Sequence, residues 1–249
     1  MQHNSVPPAA TRPPSRVAHG AMPRGDETRL RIMEAATEMF AAEGYEGTTT
    51  RRLADIARVK LPAIQYYFGN KDGLYRAVVA HLVATMDGRI APIAAQVAAG
   101  LADPALPRAG LLALLCLMLD NFTAMVTDQS VPDWKSRAMF FARAEIERSA
   151  ALDPMHDWAL RGIVGPCAAI VARLLGRPAG DETTLLRTLA VLGQVMMFCN
   201  QKGPKTMGWP TITPDRVRAI QAIVRGHAMA IFRTPDVAPH DFEPQGLPT

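Results

Sequence analysis

The sequence predicts an all-α chain, with an N-terminal three-helix unit holding a helix-turn-helix and a larger helical domain behind it. Three observations point there. Hydrophobic residues make up 49% of the 249, but Ala, Leu and Met dominate over Val, Ile, Tyr and Phe. Unbranched side chains keep more rotamer freedom in a helix, so this mixture favours helix over sheet. Apolar residues recur at helical spacing between Asp, Asn and Thr caps and Gly or Pro stops, and no segment reads as an alternating strand. Two short helical patterns meet at a tight break inside the first third of the chain.

Residues 1–25 hold Pro7, Pro8, Pro13, Pro14 and Pro23 among Ser, Gly and Arg, which predicts a disordered tail. The first helix starts at an Asp26 cap with Glu27 in its first turn. Leu30, Met33, Thr37 and Phe40 share its inner face with Ile32, Ala36 and Met39. Gly44 stops it, since glycine tolerates positive φ. Thr48 to Thr50 offer the next cap, and Leu53, Ile56 and Ala57 form a short apolar stripe. After the break Arg58-Val59-Lys60, Pro62 fits a first turn, where its missing N–H is not needed. That third helix runs to Phe68 and stops at Gly69. Asn70 then caps a long fourth helix with Leu74, Val78 and Leu82 inside, which Pro92 should kink or end.

Further helices are expected over 108–127, 135–150, 155–176, 182–200 and 214–232, with Asp153 and Thr213 as caps before Pro154 and Pro214. From Thr234 onward the chain is again Pro-rich and reads as a flexible tail. The domain boundaries follow: 26–72 for the N-terminal unit and 73–233 for the larger domain.

The charge is local. Arg51, Arg52, Arg58, Lys60, Lys71 and Arg76 stand against Asp55 and Asp72, an excess equal to the +4 of the whole chain. A basic stretch beside a neutral remainder suits either a polyanion or an ordinary solvated face. Cys116, Cys167 and Cys199 have no metal-ligand spacing with the histidines and sit in apolar surroundings, so they read as small buried hydrophobes in a reducing compartment. No metal and no cofactor is expected. The uncharged run Ala109–Leu119 is too short for a bilayer, and no signal peptide precedes it, so the expected location is cytoplasmic with no membrane partner.

Two short helices, a tight break and a following helix place the second helix in the DNA major groove while the first crosses the backbone. Thr50 can aim a helix N-terminus and a hydroxyl at a phosphate. Lys60, Tyr66, Tyr67 and Lys71 are donors spaced to meet phosphates on either side of the groove. Gln65 can pair with adenine, and Leu61 and Ala63 suit a thymine methyl. Ile64 and Phe68, four apart, face inward. Adjacent Tyr66 and Tyr67 differ by about 100° around the helix, so at least one is exposed.

The runs Gly47-Thr48-Thr49-Thr50-Arg51-Arg52-Leu53-Ala54-Asp55-Ile56-Ala57 and Ile64-Gln65-Tyr66-Tyr67-Phe68-Gly69-Asn70-Lys71-Asp72-Gly73-Leu74 resemble the TetR/AcrR family of regulators over residues 26–80. The resemblance implies a homodimer that reads a palindromic double-stranded DNA operator, tends to repress, and carries a divergent ligand domain. It carries recognition roles onto Thr50, Arg51, Lys60, Leu61, Pro62, Ala63, Gln65, Tyr66, Tyr67 and Lys71. A small or polar residue is usual where Lys60 stands, which adds a possible phosphate contact. Leu192-Gly193-Gln194-Val195, Gly208-Trp209-Pro210 and Ile212-Thr213-Pro214-Asp215 are similar to the C-terminal domain of CerR-type members. That likeness implies that the last two helices form the dimer interface.

A small, largely apolar effector is expected between helices 108–127 and 135–150, where methionines adapt to varied shapes. Met118, Phe122, Met139, Phe140 and Phe141, with Arg143 as a polar group and Trp158 or Trp134 as a stacking surface, are the candidate lining; each also suits ordinary packing. The fourth helix is the natural transmitter. For dimerisation, Leu185, Leu189, Leu192 and Met196 make one stripe, and Val217, Ile220 and Val224 another, enough for a four-helix bundle between subunits. A small helical enzyme or an interaction protein without sequence-specific DNA binding is the alternative class. Against an enzyme stand the lack of a Gly-rich phosphate loop, a nucleophile elbow or a His-Glu metal motif. Asp153 with His156 is the best local acid–base pair.

Overall fold

The structure is a computed structural model that describes residues 24–131, 134–147, 152–199 and 202–232. The expected tails lie almost wholly outside those residues, as does the expected end of the sixth helix at 148–150. The helices are α1 (Arg24–Gly47), α2 (Thr50–Ile56), α3 (Leu61–Phe68), α4 (Lys71–Leu101), α5 (Arg108–Thr127) and α6 (Trp134–Ile146). They continue with α7 (Asp153–Ala159), α8 (Gly165–Leu175), α9 (Glu182–Cys199), α10 (Lys202–Thr206) and α11 (Pro214–Ile231). The fold class is all-α, as expected.

The caps follow side-chain chemistry. Thr49, not Thr48 or Thr50, caps α2, its hydroxyl accepting from Arg52 N at 3.3 Å. Thr48 is buried and donates to Gly44 O at 2.8 Å. Asn70 accepts from Gly73 N at 2.8 Å, and Thr213 from Arg216 N at 3.4 Å. Two expected caps move: Asp26 and Asp153 lie inside the first turns of α1 and α7, where a carboxylate still favours the helix N-terminus. Asp153 is therefore a helical residue, not a cap. The short α10 was not expected from the sequence. Ile56 is 46% exposed, while Leu53, Ala54 and Ala57 are buried. At about 100° per residue those three cluster on one side of α2 and Ile56 falls outside the cluster.

Pro92 does not end α4, which runs unbroken to Leu101. The proline is exposed, as is Gly88 four residues earlier, so the carbonyl it leaves unbonded faces water. Between α7 and α8 the chain makes a π turn, Leu160–Val164. It lies just before Pro166, which lacks an N–H and whose ring crowds a normal helical carbonyl.

Two hydrophobic cores share α4. One joins α1, α2 and α3 to Leu74, Tyr75, Val78, Val79 and Leu82, and takes in Phe140 and Ala144 of α6. The other packs Ile90 and Val97 against α5, α8, α9 and α11. The two cores meet along α4, between Leu82 and Ile90, and α6 docks on α1 and adds Phe140 and Ala144 to the N-terminal core. Arg108 at the start of α5 donates to Leu174 O at 2.8 Å and to Phe232 O, and Arg173 donates to Asp103 O at 2.9 Å and Pro104 O at 3.0 Å. These guanidinium groups satisfy carbonyls at the ends of α8 and α11 and in the α4–α5 loop.

α4, α5 and the rod Asp153–Leu175 are long and apolar enough to cross a membrane by length and composition, with 18-residue windows of mean hydropathy 1.2, 1.9 and 1.5. The uncharged run alone underestimated them. α5 packs against α4, α8, α9 and α11, and a helix with several helical neighbours is apolar over much of its circumference.

Candidate nucleic-acid interface and effector cavity

α2 ends in a Schellman motif: Val59 N donates to Ala54 O at 2.9 Å and Arg58 N to Asp55 O at 3.2 Å. Arg58, with φ 53°, occupies the left-handed position that glycine usually takes. The chain turns sharply there and enters α3 through Lys60, whose extended backbone precedes Leu61 and Pro62. Ile64 is fully buried and pins α3 to the core. A Cβ on Gly73 would lie 2.1 Å from Phe68 O, so glycine lets the start of α4 close against the end of α3.

This geometry sorts the candidate contact residues. Lys60, Leu61, Pro62, Gln65 and Tyr66 lie exposed on one face of α3. Tyr66 is 82% exposed, whereas Tyr67 is half-buried and meets Tyr66 edge-on at 5.0 Å. Ala63 and Phe68 are also half-buried, with the Arg29 guanidinium 5.5 Å over the Phe68 ring. Arg51 is exposed and Thr50 half-buried at the start of α2; neighbouring Arg52 pairs with Glu43 at 2.7 Å. Lys71 is held from within: Nζ donates to Thr48 O at 3.0 Å and sits 4.3 Å over the Tyr45 ring. An ammonium has three donors, so Lys71 can tie α4 to the α1–α2 turn and still meet a phosphate.

The α1–α2 turn is braced by α6. Gly44 has φ 78° and ψ 178°, a region almost restricted to glycine. A Cβ there would lie 2.3 Å from Glu147 Oε1, and the Arg143 side chain packs alongside. Tyr45 N donates to Glu147 Oε2 at 3.3 Å. Phe140 is 1% exposed and packs with Tyr75 at 5.2 Å and Phe40 at 6.3 Å between ring centres.

A cavity of about 160 Å³ opens between α4, α5, α6 and α9. Leu82, Thr85, Met86, Arg89, Met125, Val126, Asp128, Val131, Trp134, Arg137, Ala138, Phe141 and Cys199 line it. It lies between the two expected helices and is lined by Trp134 and Phe141 of the expected residues, but not by the others. Met118 and Phe122 are buried in the second core, Phe140 in the first, and Arg143 lies against Gly44. Met139 is 54% exposed, and Trp158 is buried in the second core, its indole N–H without a partner among the described residues, beside a separate groove with Asp87 and Arg161. For the residues of α6 the reason is the rotation of that helix. Positions 134, 137, 138 and 141 form the stripe that meets the cavity, and 140 and 144 the stripe that meets α1.

Asp128 pairs with Arg89 at 2.9 Å and accepts from Ser130 N at 3.0 Å and Ser130 Oγ at 2.6 Å. The serine hydroxyl, above all, holds the Asp128 carboxyl below its ordinary range. A second cleft adjoins the cavity and shares Leu82, Thr85 and Arg137 with it; its other walls are Leu30, Met33, Glu34, Thr37 and His81. Burial, then the nearby Arg137 and Arg29, lower the pKa of His81. Cys167 is buried, which pushes its thiol up to about 12, while Cys116 and Cys199 are only half-buried. Asp153 and His156 are both exposed. Among the described residues no group of three His, Cys, Asp or Glu is placed to hold a metal.

The expected dimer stripes split in two. Leu192, Ile220 and Val224 are buried within the protomer, and Leu185 and Val217 half-buried. Leu189 and Met196 are 53% and 45% exposed, and share an outward face with Leu186 and Met197 of α9 and Ile223 and Met229 of α11. His227 Nδ1 and Gln194 Oε1, 2.8 Å apart, join the two helices. α9 carries two apolar stripes, and its inner one is used on α5 and α8.

Residues 32–78 match the model for bacterial regulatory proteins, tetR family. Residues 113–234 match that for the C-terminal domain of the HTH-type transcriptional dual regulator CecR. The chain belongs to the TetR family. Its C-terminal domain, expected to be of CerR type, is thus of the CecR kind. The dual regulator CecR of Shigella flexneri is 24% identical over 214 residues, covering 84% of this chain and 93% of that protein. A TetR-family regulator from Mesorhizobium loti superimposes with a TM-score of 0.55 at 17% identity, covering 84% of this chain and 98% of the other. AibR, solved with isovaleryl coenzyme A and operator DNA, gives a TM-score of 0.54 at 15% identity, covering 80% of this chain and 97% of the other. Both structures share the fold.

Proposed function

We propose that this TetR-family chain is a cytoplasmic, ligand-responsive transcriptional repressor. It binds a palindromic operator as a homodimer and leaves DNA when a small molecule fills the cavity between α4, α5, α6 and α9. The observation that carries the reading is the exposed face of α3, with Lys60, Leu61, Pro62, Gln65 and Tyr66 outward and Ile64 pinned inward, at the head of a helix that reaches the cavity. Gln65 and Leu61 are the base readers; Thr50, Arg51, Lys60, Tyr66, Tyr67 and Lys71 hold the backbone, with Pro62 and Ala63 shaping the close approach. The outward face of α9 and α11 pairs with its copy, which fits a four-helix bundle. AibR is a neighbour in fold captured with both an acyl ligand and operator DNA, which supports the same two partners here.

Half-sites on one face of DNA lie about 34–36 Å apart, so a shift of a few ångströms between the two α3 helices ends simultaneous engagement. The effector acts only if it favours the DNA-free arrangement. Selection of bound sequences from random duplex DNA tests the reading and should return a palindrome. Gln65→Ala should relax one position in each half-site, a loss of about 1–3 kcal/mol per contact. A pool without enrichment refutes sequence-specific binding, and an unchanged motif with Gln65→Ala removes Gln65 from base recognition.

A further inference from the structure

We propose that the cavity takes a small monocarboxylate, a single aromatic ring or short hydrocarbon chain with one carboxylate, and that Arg137 receives the anion. The proposal names the effector class for the ligand-responsive reading above and rests on it. Charge comes first. Arg89 and Asp128 neutralise each other across 2.9 Å, and Asp128 is further satisfied by Ser130. Arg137 is half-buried on the same wall, and among the described residues it has no hydrogen-bond or ion-pair partner. The cavity therefore carries one uncompensated positive charge. A partly desolvated guanidinium is unfavourable without an anion, and its planar fork matches a carboxylate.

Size and surface narrow the class. The remaining walls, chiefly Leu82, Met86, Met125, Val126, Trp134 and Phe141, are apolar, with two aromatic faces. The volume of about 160 Å³ is close to that of an engineered cavity of about 150 Å³ that admits benzene. An amine would meet unfavourable charge, and a neutral ligand would leave Arg137 unpaired. Arg137 also lines the cleft that contains Glu34 and Thr37 of α1 and His81 of α4. The group that reads the anion thus borders the DNA-binding unit.

The test is calorimetric titration of the full-length chain with benzoate, phenylacetate and hexanoate, and with the amide of each. At least one acid should bind, and its amide at least tenfold more weakly. Arg137→Met should remove the preference, Arg137→Lys should retain part of it, and Arg161→Met, on the separate groove, should leave it intact. Circular dichroism checks the fold of each variant; if Arg137→Met does not fold, the acid–amide ratio of the parent and Arg137→Lys decide. Equal binding of acids and amides, no binding of any acid, an undiminished preference in Arg137→Met, or binding of isovaleryl coenzyme A alone overturns the assignment. Affinity for the selected duplex is measured alongside. Arg137-dependent acid binding that leaves DNA affinity unchanged refutes effector control and keeps the ligand class.

Discussion

Gly44→Ala examines the joint between the DNA-binding unit and α6. The native φ of 78° with ψ of 178° lies in a region that costs a residue with a Cβ about 1–3 kcal/mol. The added methyl also meets Glu147 Oε1, at 2.3 Å in the present geometry. Glu147 is exposed and can swing aside, but it then gives up the hydrogen bond from Tyr45 N, worth about 0.5 kcal/mol at such a site. Against this, alanine restricts the unfolded chain and returns about 0.4–1 kcal/mol. The net expectation is a loss of about 2 kcal/mol, or a midpoint about 1 M lower in urea with an unchanged slope. Equilibrium unfolding at fixed protein concentration measures it, since a dimer's stability depends on concentration. Gly47→Ala is the control: its φ is not positive and its nearest neighbour is the Glu43 Cβ at 3.3 Å. If Gly44→Ala unfolds within about 0.5 kcal/mol of the parent, the turn is not strained and α6 does not brace it.

Leu189→Glu should give monomer in sedimentation with helicity unchanged, because Leu189 is 53% exposed on the protomer. Leu192→Asp should instead lower stability by about 3 kcal/mol or more, since Leu192 is buried inside the protomer; a persistent Leu189→Glu dimer places the interface elsewhere. His81 has a folded pKa below its ordinary 6.5, through burial and the charges of Arg137 and Arg29, opposed by Glu34. Its neutral form therefore contributes stability that is complete above pH 6.5 and falls away as pH drops through the lowered folded value. Melting temperatures across that range should fall less in His81→Gln, and parallel curves would rule His81 out. Arg58→Gly should raise the melting temperature, because the left-handed position costs a non-glycine residue about 1–2 kcal/mol, of which glycine's unfolded-state entropy returns about half; a lower melting temperature would mean that Arg58 makes a compensating contact.

The chain by itself determined the helix-turn-helix and most of the helices, though not α10 or the π turn before Pro166. Gly44, Asn70, Gly69, Thr213 and Pro214 act through their own backbone or the next turn, and such local preferences are legible wherever they occur. The tyrosine pair, Gln65 and the basic stretch were equally local, so the α3 face was readable before any fold was known. Pro92 does not end α4, because an exposed carbonyl can bond water, which depends on where the face of α4 points. Only the tertiary structure decided which apolar stripe goes to which neighbour. On α6 the rotation sends Phe140 to the DNA-binding core and Trp134, Arg137 and Phe141 to the cavity, and periodicity alone does not say which side is which. On α9 the same ambiguity hid the difference between Leu192, needed inside the protomer, and Leu189, left outside. Hydrophobic burial is non-directional, so a helix apolar on two sides fixes its partners only once the neighbouring helices are in place.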